Sequence, residues 1–110
     1  MESRLRELAP AEGTALLVRV WQYDVRPGHE AEFERLYGAS GAWAQLFARS
    51  SDYLGTELFR AVQRPRRYVT VDRFSSEEAW HGFLSEHRTA YTELDSHCAE
   101  LTDAEVDLLG

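Results

Sequence analysis

The stretch "WHGFLSEHRTAYTELDSHC", Trp80 to Cys98, sets one imidazole on an otherwise apolar helical stripe. Trp80, Phe83, Leu84, His87, Tyr91, Leu94, Cys98 and Leu101 follow steps of three and four, the spacing of one helix face. Glu78, Glu86, Arg88, Glu93 and Asp95 take the opposite face. A neutral histidine buried on such a stripe needs a partner for each ring nitrogen. Its helical neighbours Phe83, Leu84, Ala90 and Tyr91 include no carboxylate. The partner must then come from the sheet, where Asp24 and Asp72 are candidates, or from a ligand or water in a cavity. Two readings stay open for His87: a satisfied core histidine, or a catalytic base in a pocket, titrating near neutrality.

Aromatic residues are plentiful, with three Trp, five Tyr and five Phe. Trp21, Tyr23, Trp43, Trp80, Phe83 and Tyr91 can all be core. Taken with His87 they are also what a cavity for a flat aromatic molecule uses, the Tyr and Trp tips holding a phenol or quinone oxygen. Arg19, Arg60 and Arg73 fall within strand-like segments, as edge or interface charges or as clamps for an anionic group. Other chemistries find no support. His29, His81, His87 and His97 never recur at the spacing that puts two metal ligands on one helix face, and there is no CxxC, so no metal site is expected. No phosphate loop and no GxSxG elbow is present. Cys98 follows His97, but adjacent helical residues point about 100° apart, so Cys98 reads as a small buried residue closing the stripe.

The elements that must position these residues follow from periodicity. "LLVRVWQYDV" (Leu16 to Val25) carries large side chains at both parities, which predicts a strand covered on both faces. "RPGHE" breaks it. Phe33, Leu36 and Tyr37 then predict a helix, and Trp43, Leu46 and Phe47 a shorter one ending near Arg49 to Asp52. The segment from Gly38 to Asp52, with Trp43, is placed to lid a pocket. "YLGTELFRAV" (Tyr53 to Val62) and "YVTVDRF" (Tyr68 to Phe74) predict a hairpin across "QRPRR". Ser75 and Glu78 form a candidate capping box for the long helix, which runs to about Ala99. A fourth strand is expected around Val106 and Leu108. The order βαββαβ is the ferredoxin-like, α+β arrangement, one antiparallel sheet with helices on one face. The other, apolar face is too large a patch to leave bare. A homodimer pairing the two sheets over roughly 2,000 Å² or more answers it.

Charge and composition narrow the partners. The chain has 110 residues, enough for one core, and a formal net charge of −7. That charge argues against nucleic acid. No apolar run is long enough for a bilayer, the opening residues lack a signal-peptide core, and the single cysteine permits no internal disulfide. The expectation is a cytoplasmic protein with no membrane partner. Residues 1–15 read as an N-terminal arm, with a helical turn at Ser3 to Leu8, and residues 16–110 as one domain.

"DVRPGHEAEFERLY" after a strand, then "YLGTELFRAVQRPRRYVTVDRFSSEEAWHGFLSEH", resembles the antibiotic biosynthesis monooxygenase (ABM) superfamily. The hallmark is aromatic–x–Ser–x–x–x–aromatic where a hairpin strand enters the helix, here Phe74, Ser76 and Trp80. The likeness extends from about Leu16 to Gly110. It implies a dimeric α/β barrel with a pocket between helices and sheet in each monomer. It further implies either a cofactor-independent monooxygenase, His87 deprotonating a small phenol or quinol that reacts directly with O₂, or a non-catalytic dimer binding small aromatic ligands. Haem degradation stands third. Haem-degrading members carry an Asn on the first strand and a Trp and a His on the long helix, where this chain has Trp21, Phe83 and Glu93.

Overall fold

The structure, a computed structural model, describes residues 16–110; the expected N-terminal arm and its helical turn lie outside the described residues. In chain order the elements are β1 (Leu17–Val25), α1 (Glu30–Tyr37), α2 (Ala42–Phe47), β2 (Tyr53–Arg60), β3 (Arg67–Phe74), α3 (Glu77–Cys98), a 3-10 turn (Ala99–Leu101) and β4 (Thr102–Asp107). The four strands form one sheet in the order β2-β3-β1-β4, every neighbouring pair antiparallel. This is the ferredoxin-like α+β fold, with β3 and β1 central and the helices packed on one face.

Strand alternation sorts the side chains. Leu17, Arg19, Trp21, Tyr23 and Val25 of β1 share the helix-facing side with Tyr68, Thr70, Asp72 and Phe74 of β3, and all four of those β3 residues are buried. Cross-strand register sets them in rows. Arg19 lies opposite Asp72, and Asp72 opposite Thr56; Trp21 lies opposite Thr70, and Thr70 opposite Leu58. Between Tyr53 and Gly55 the β2–β3 register shifts, and Gly55 takes φ +131° there, a conformation open to glycine at little cost.

The core is built of rings. Phe47 of α2 lies within 5.5–5.8 Å of Trp43, Tyr53, Phe74, Trp80 and Phe83, centroid to centroid. Phe33 stacks on Tyr37 at 4.0 Å. Tight packing between α1 and α2 requires Gly41: a Cβ there would stand 2.5 Å from the carbonyl oxygens of Arg35 and Leu36. That approach fixes where α2 presents Trp43.

Three details differ from the sequence reading. The long helix is capped by Ser76, whose Oγ accepts from Ala79 N at 3.0 Å. Ser75 instead donates to Asp52 Oδ1, tying the helix entry to the α2–β2 loop. Second, α3 leaves helical geometry at His87 (φ −118°, ψ 26°), so its stripe is two half-stripes joined at a kink. Third, β4 stops at Asp107, and Leu108 only bonds through its N–H to Val20 O.

The far side of the sheet is apolar along two rows: Phe59, Val69, Gln22 and Val106, then Glu57, Val71 and Val20. Phe59 and Val106 are 51% and 46% exposed, as is Leu54 at 57%.

Candidate active site

A cavity of about 180 Å³ opens between the sheet and the helices. Its floor is strand: Arg19, Trp21 and Tyr23 of β1, Thr56 of β2, Thr70 and Asp72 of β3. Its wall is helix: Tyr37 of α1, Trp43 and Phe47 of α2, Tyr91 of α3. Asp95 and Glu105, both exposed, form the rim. Trp43 meets Tyr91 edge-on at 5.0 Å, closing one side.

Asp72 is the charged group inside. It is 8% exposed, and a carboxylate so placed must be held by partners. Thr56 donates to its Oδ1, and the Tyr53 hydroxyl in turn meets Thr56 Oγ1. Because Thr56 spends its single proton on Asp72, Tyr53 is the donor of the second bond. Burial pushes the Asp72 carboxyl above the ordinary carboxylate range, opposed by the Thr56 bond and by the positive charges of Arg19 and Arg73. Burial likewise raises the Tyr23 and Tyr53 phenols. Arg19, opposite Asp72 in the sheet, lays its guanidinium over the Trp80 ring at 4.3 Å and beside Trp21 at 5.6 Å.

Two buried polar atoms among the described residues have no hydrogen-bond partner, Trp43 Nε1 and Thr70 Oγ1. Both residues line this cavity. The Tyr23 hydroxyl and the Cys98 thiol approach them closely enough to feel their dipoles, but neither forms a bond of normal geometry. A buried donor left unpaired costs roughly 1–3 kcal/mol.

The structure brings Trp21, Tyr23, Trp43 and Tyr91 together around the cavity. Trp80 and Phe83 lie behind it in the core, 6% and 2% exposed, and do not line it. His87 does not line it either. Its ring packs on Phe83 at 5.2 Å, and Nε2 stands 3.9 Å from Glu86 Oε1 at the surface. The kink at His87 explains the displacement: residues before it face the Phe47 cluster, whereas Tyr91 and Asp95 after it face the cavity. Neither candidate partner reaches the imidazole, since Asp24 takes a bidentate bond from Arg67 (2.8 and 3.1 Å) and Asp72 is held by Thr56. Of the other arginines, Arg73 pairs with Glu57 and Arg60 with Glu34. Cys98 is buried, as expected. Asp72, Thr70 and Thr56 are the polar residues the motif search passed over as a site. A polar Thr and Asp at the same parity as Tyr68 and Phe74 were the signal.

The family model described as antibiotic biosynthesis monooxygenase matches residues 16–93. Among solved structures, a variant of SnoaB, a cofactor-independent oxygenase from Streptomyces nogalater, superposes with a TM-score of 0.69 at 20% identity, covering 83% of this chain and 86% of that one. A putative antibiotic biosynthesis monooxygenase from Bordetella bronchiseptica gives 0.62 at 22% identity, covering 82% and 88%. MupZ from Pseudomonas fluorescens gives 0.63 at 10%, covering 81% and 65%. At these identities the likeness is one of fold. No protein of curated function matches the sequence.

Proposed function

The chain belongs to the antibiotic biosynthesis monooxygenase family, and from that premise we propose that it is a cofactor-independent monooxygenase of small phenol- or quinol-like aromatics, acting as a homodimer. The observation that carries this reading is the buried Asp72 carboxyl on the floor of an aromatic-walled cavity. A flat ring fits between the Trp43 and Tyr91 wall and the Trp21 floor. Its hydroxyl gives a proton to Asp72, and the raised affinity of that carboxyl for protons narrows the gap to a phenol. The phenolate passes an electron pair from a ring carbon bearing hydrogen to O₂. A C–O bond forms, and the peroxide takes up a proton. Loss of water, carrying away that carbon's hydrogen, leaves a carbonyl. The balance is substrate plus O₂ giving the oxidised product plus one water. Walls of rings exclude bulk water from the anion.

His87, lying off the cavity, carries no proton in this scheme. The test is O₂ uptake by the purified protein over a hydroquinone panel, with Asp72→Asn and His87→Ala beside the wild type. Uptake lost with Asp72→Asn and kept with His87→Ala is the expected result. Saturable binding with no uptake from any quinol would make the protein a binder instead.

The dimer rests on the apolar rows of the far sheet face, with Phe59 and Val106 half exposed. Sheet-to-sheet pairing covers them and leaves the cavity, on the opposite side, open.

A further inference from the structure

We propose that the cavity selects a neutral, one-ring phenol carrying a second oxygen that accepts a hydrogen bond. The inference rests on the cavity's being the working site, as above, and adds the chemical class of the occupant. Size comes first. A cavity of about 150 Å³ holds a benzene molecule, so about 180 Å³ takes a single ring with small substituents and not a fused polycycle.

The two unpartnered atoms come next. Trp43 Nε1 is only a donor, on a residue 7% exposed, and asks for an acceptor on the helical side. Thr70, 2% exposed, lies two residues from Asp72 on the same face of β3. A ligand hydroxyl set between them donates to Asp72 and accepts from Thr70 Oγ1. A ligand with oxygens at both ends of its ring therefore satisfies every open group at once. Trp43 comes from a helix and Thr70 and Asp72 from the sheet, so the two oxygens must lie on opposite sides of the ring.

Charge completes the description. Asp72, Asp95 and Glu105 face the cavity against the single cation Arg19, whose guanidinium is already spread over Trp80. A carboxylated ligand meets net negative charge and is disfavoured.

The experiment is an NMR titration of the full chain, following the Trp43 indole N–H resonance, with 4-methoxyphenol, its near-isostere 4-ethylphenol, and 4-hydroxybenzoate. Wild type is expected to bind 4-methoxyphenol roughly tenfold more tightly than 4-ethylphenol, the worth of one satisfied buried donor. Trp43→Phe keeps the ring and loses the N–H, so it should bind the two phenols equally. Thr70→Val should weaken both phenols by a similar factor and keep the preference. The carboxylate should bind at least tenfold more weakly than 4-methoxyphenol. A preference that survives Trp43→Phe, a carboxylate that binds as well, or no binding of either phenol at millimolar concentration would each overturn the proposal. Its failure is separable from that of the oxygenase reading. O₂ uptake with larger quinols, uninhibited by 4-methoxyphenol, sinks the size argument alone; 4-methoxyphenol binding with no uptake from any quinol sinks the oxygenase alone.

Discussion

Replacing Asp72 by Asn separates the shape of the carboxyl from its charge. Thr56 can still donate to the amide oxygen, so the variant should fold, while proton abstraction is lost. A fall in kcat/KM of about 10²-fold or more is expected. His87→Ala should change it by less than about threefold, the scale of a residue without a part in the proton transfer. In wild type, activity should fall on acidification through a pKa above the ordinary 3.8, because the carboxylate must be ionised to act. Stability runs the other way. Burial raises the folded-state pKa of Asp72, so its neutral form contributes stability that is complete below 3.8 and lost as pH rises through the folded value. Asp72→Asn, which has no such loss, should gain on wild type over that rise. Urea unfolding across pH 4 to 8 measures the difference; a gap that does not grow with pH would mean the carboxyl is not desolvated. Asp24 has the opposite sign. The Arg67 hydrogen bond holds its carboxyl below the usual range, so its contribution is present at neutral pH and lost as pH falls through the lowered value. Being a partly exposed pair, it is worth at most about 1 kcal/mol.

The elements differ in how far they could be read in advance. Strand and helix order was legible because each segment repeats its apolar residues at one period. The hairpin was legible because "QRPRR" punctuates two β-branched and aromatic runs. The long stripe misled because stepping by three and four assumes an unbroken helix, and α3 breaks at His87. On β3, reading "YVTVDRF" as one apolar run averaged its two faces and hid Thr70 and Asp72 on the inner one. Two predictions belong at this scale. Ser76→Ala removes the α3 cap and should cost about 1 kcal/mol, measured by denaturant unfolding; an equal loss from Ser75→Ala would point to the wrong cap. Gly41→Ala drives a Cβ into two backbone carbonyls and should cost about 2 kcal/mol or more, loosening α2 and with it ligand binding at Trp43. Full stability in that variant would show that α1 and α2 do not pack so closely.

At the scale of the whole molecule, the sheet divides labour between its faces. The inner face carries the cavity, and the outer face carries the apolar rows. Val71→Lys, at the middle of the outer face, should convert a sheet-paired dimer to monomer in sedimentation velocity while leaving 4-methoxyphenol binding intact. A wild type that sediments as a monomer at tens of micromolar would remove the dimer. The ring-built core has an optical consequence as well. All three tryptophans of the chain border the cavity or its lining: Trp21 and Trp43 form part of it, and Trp80 lies under the Arg19 that does. The protein's ultraviolet emission thus comes entirely from the neighbourhood of one small volume, so the unlabelled chain is its own occupancy gauge.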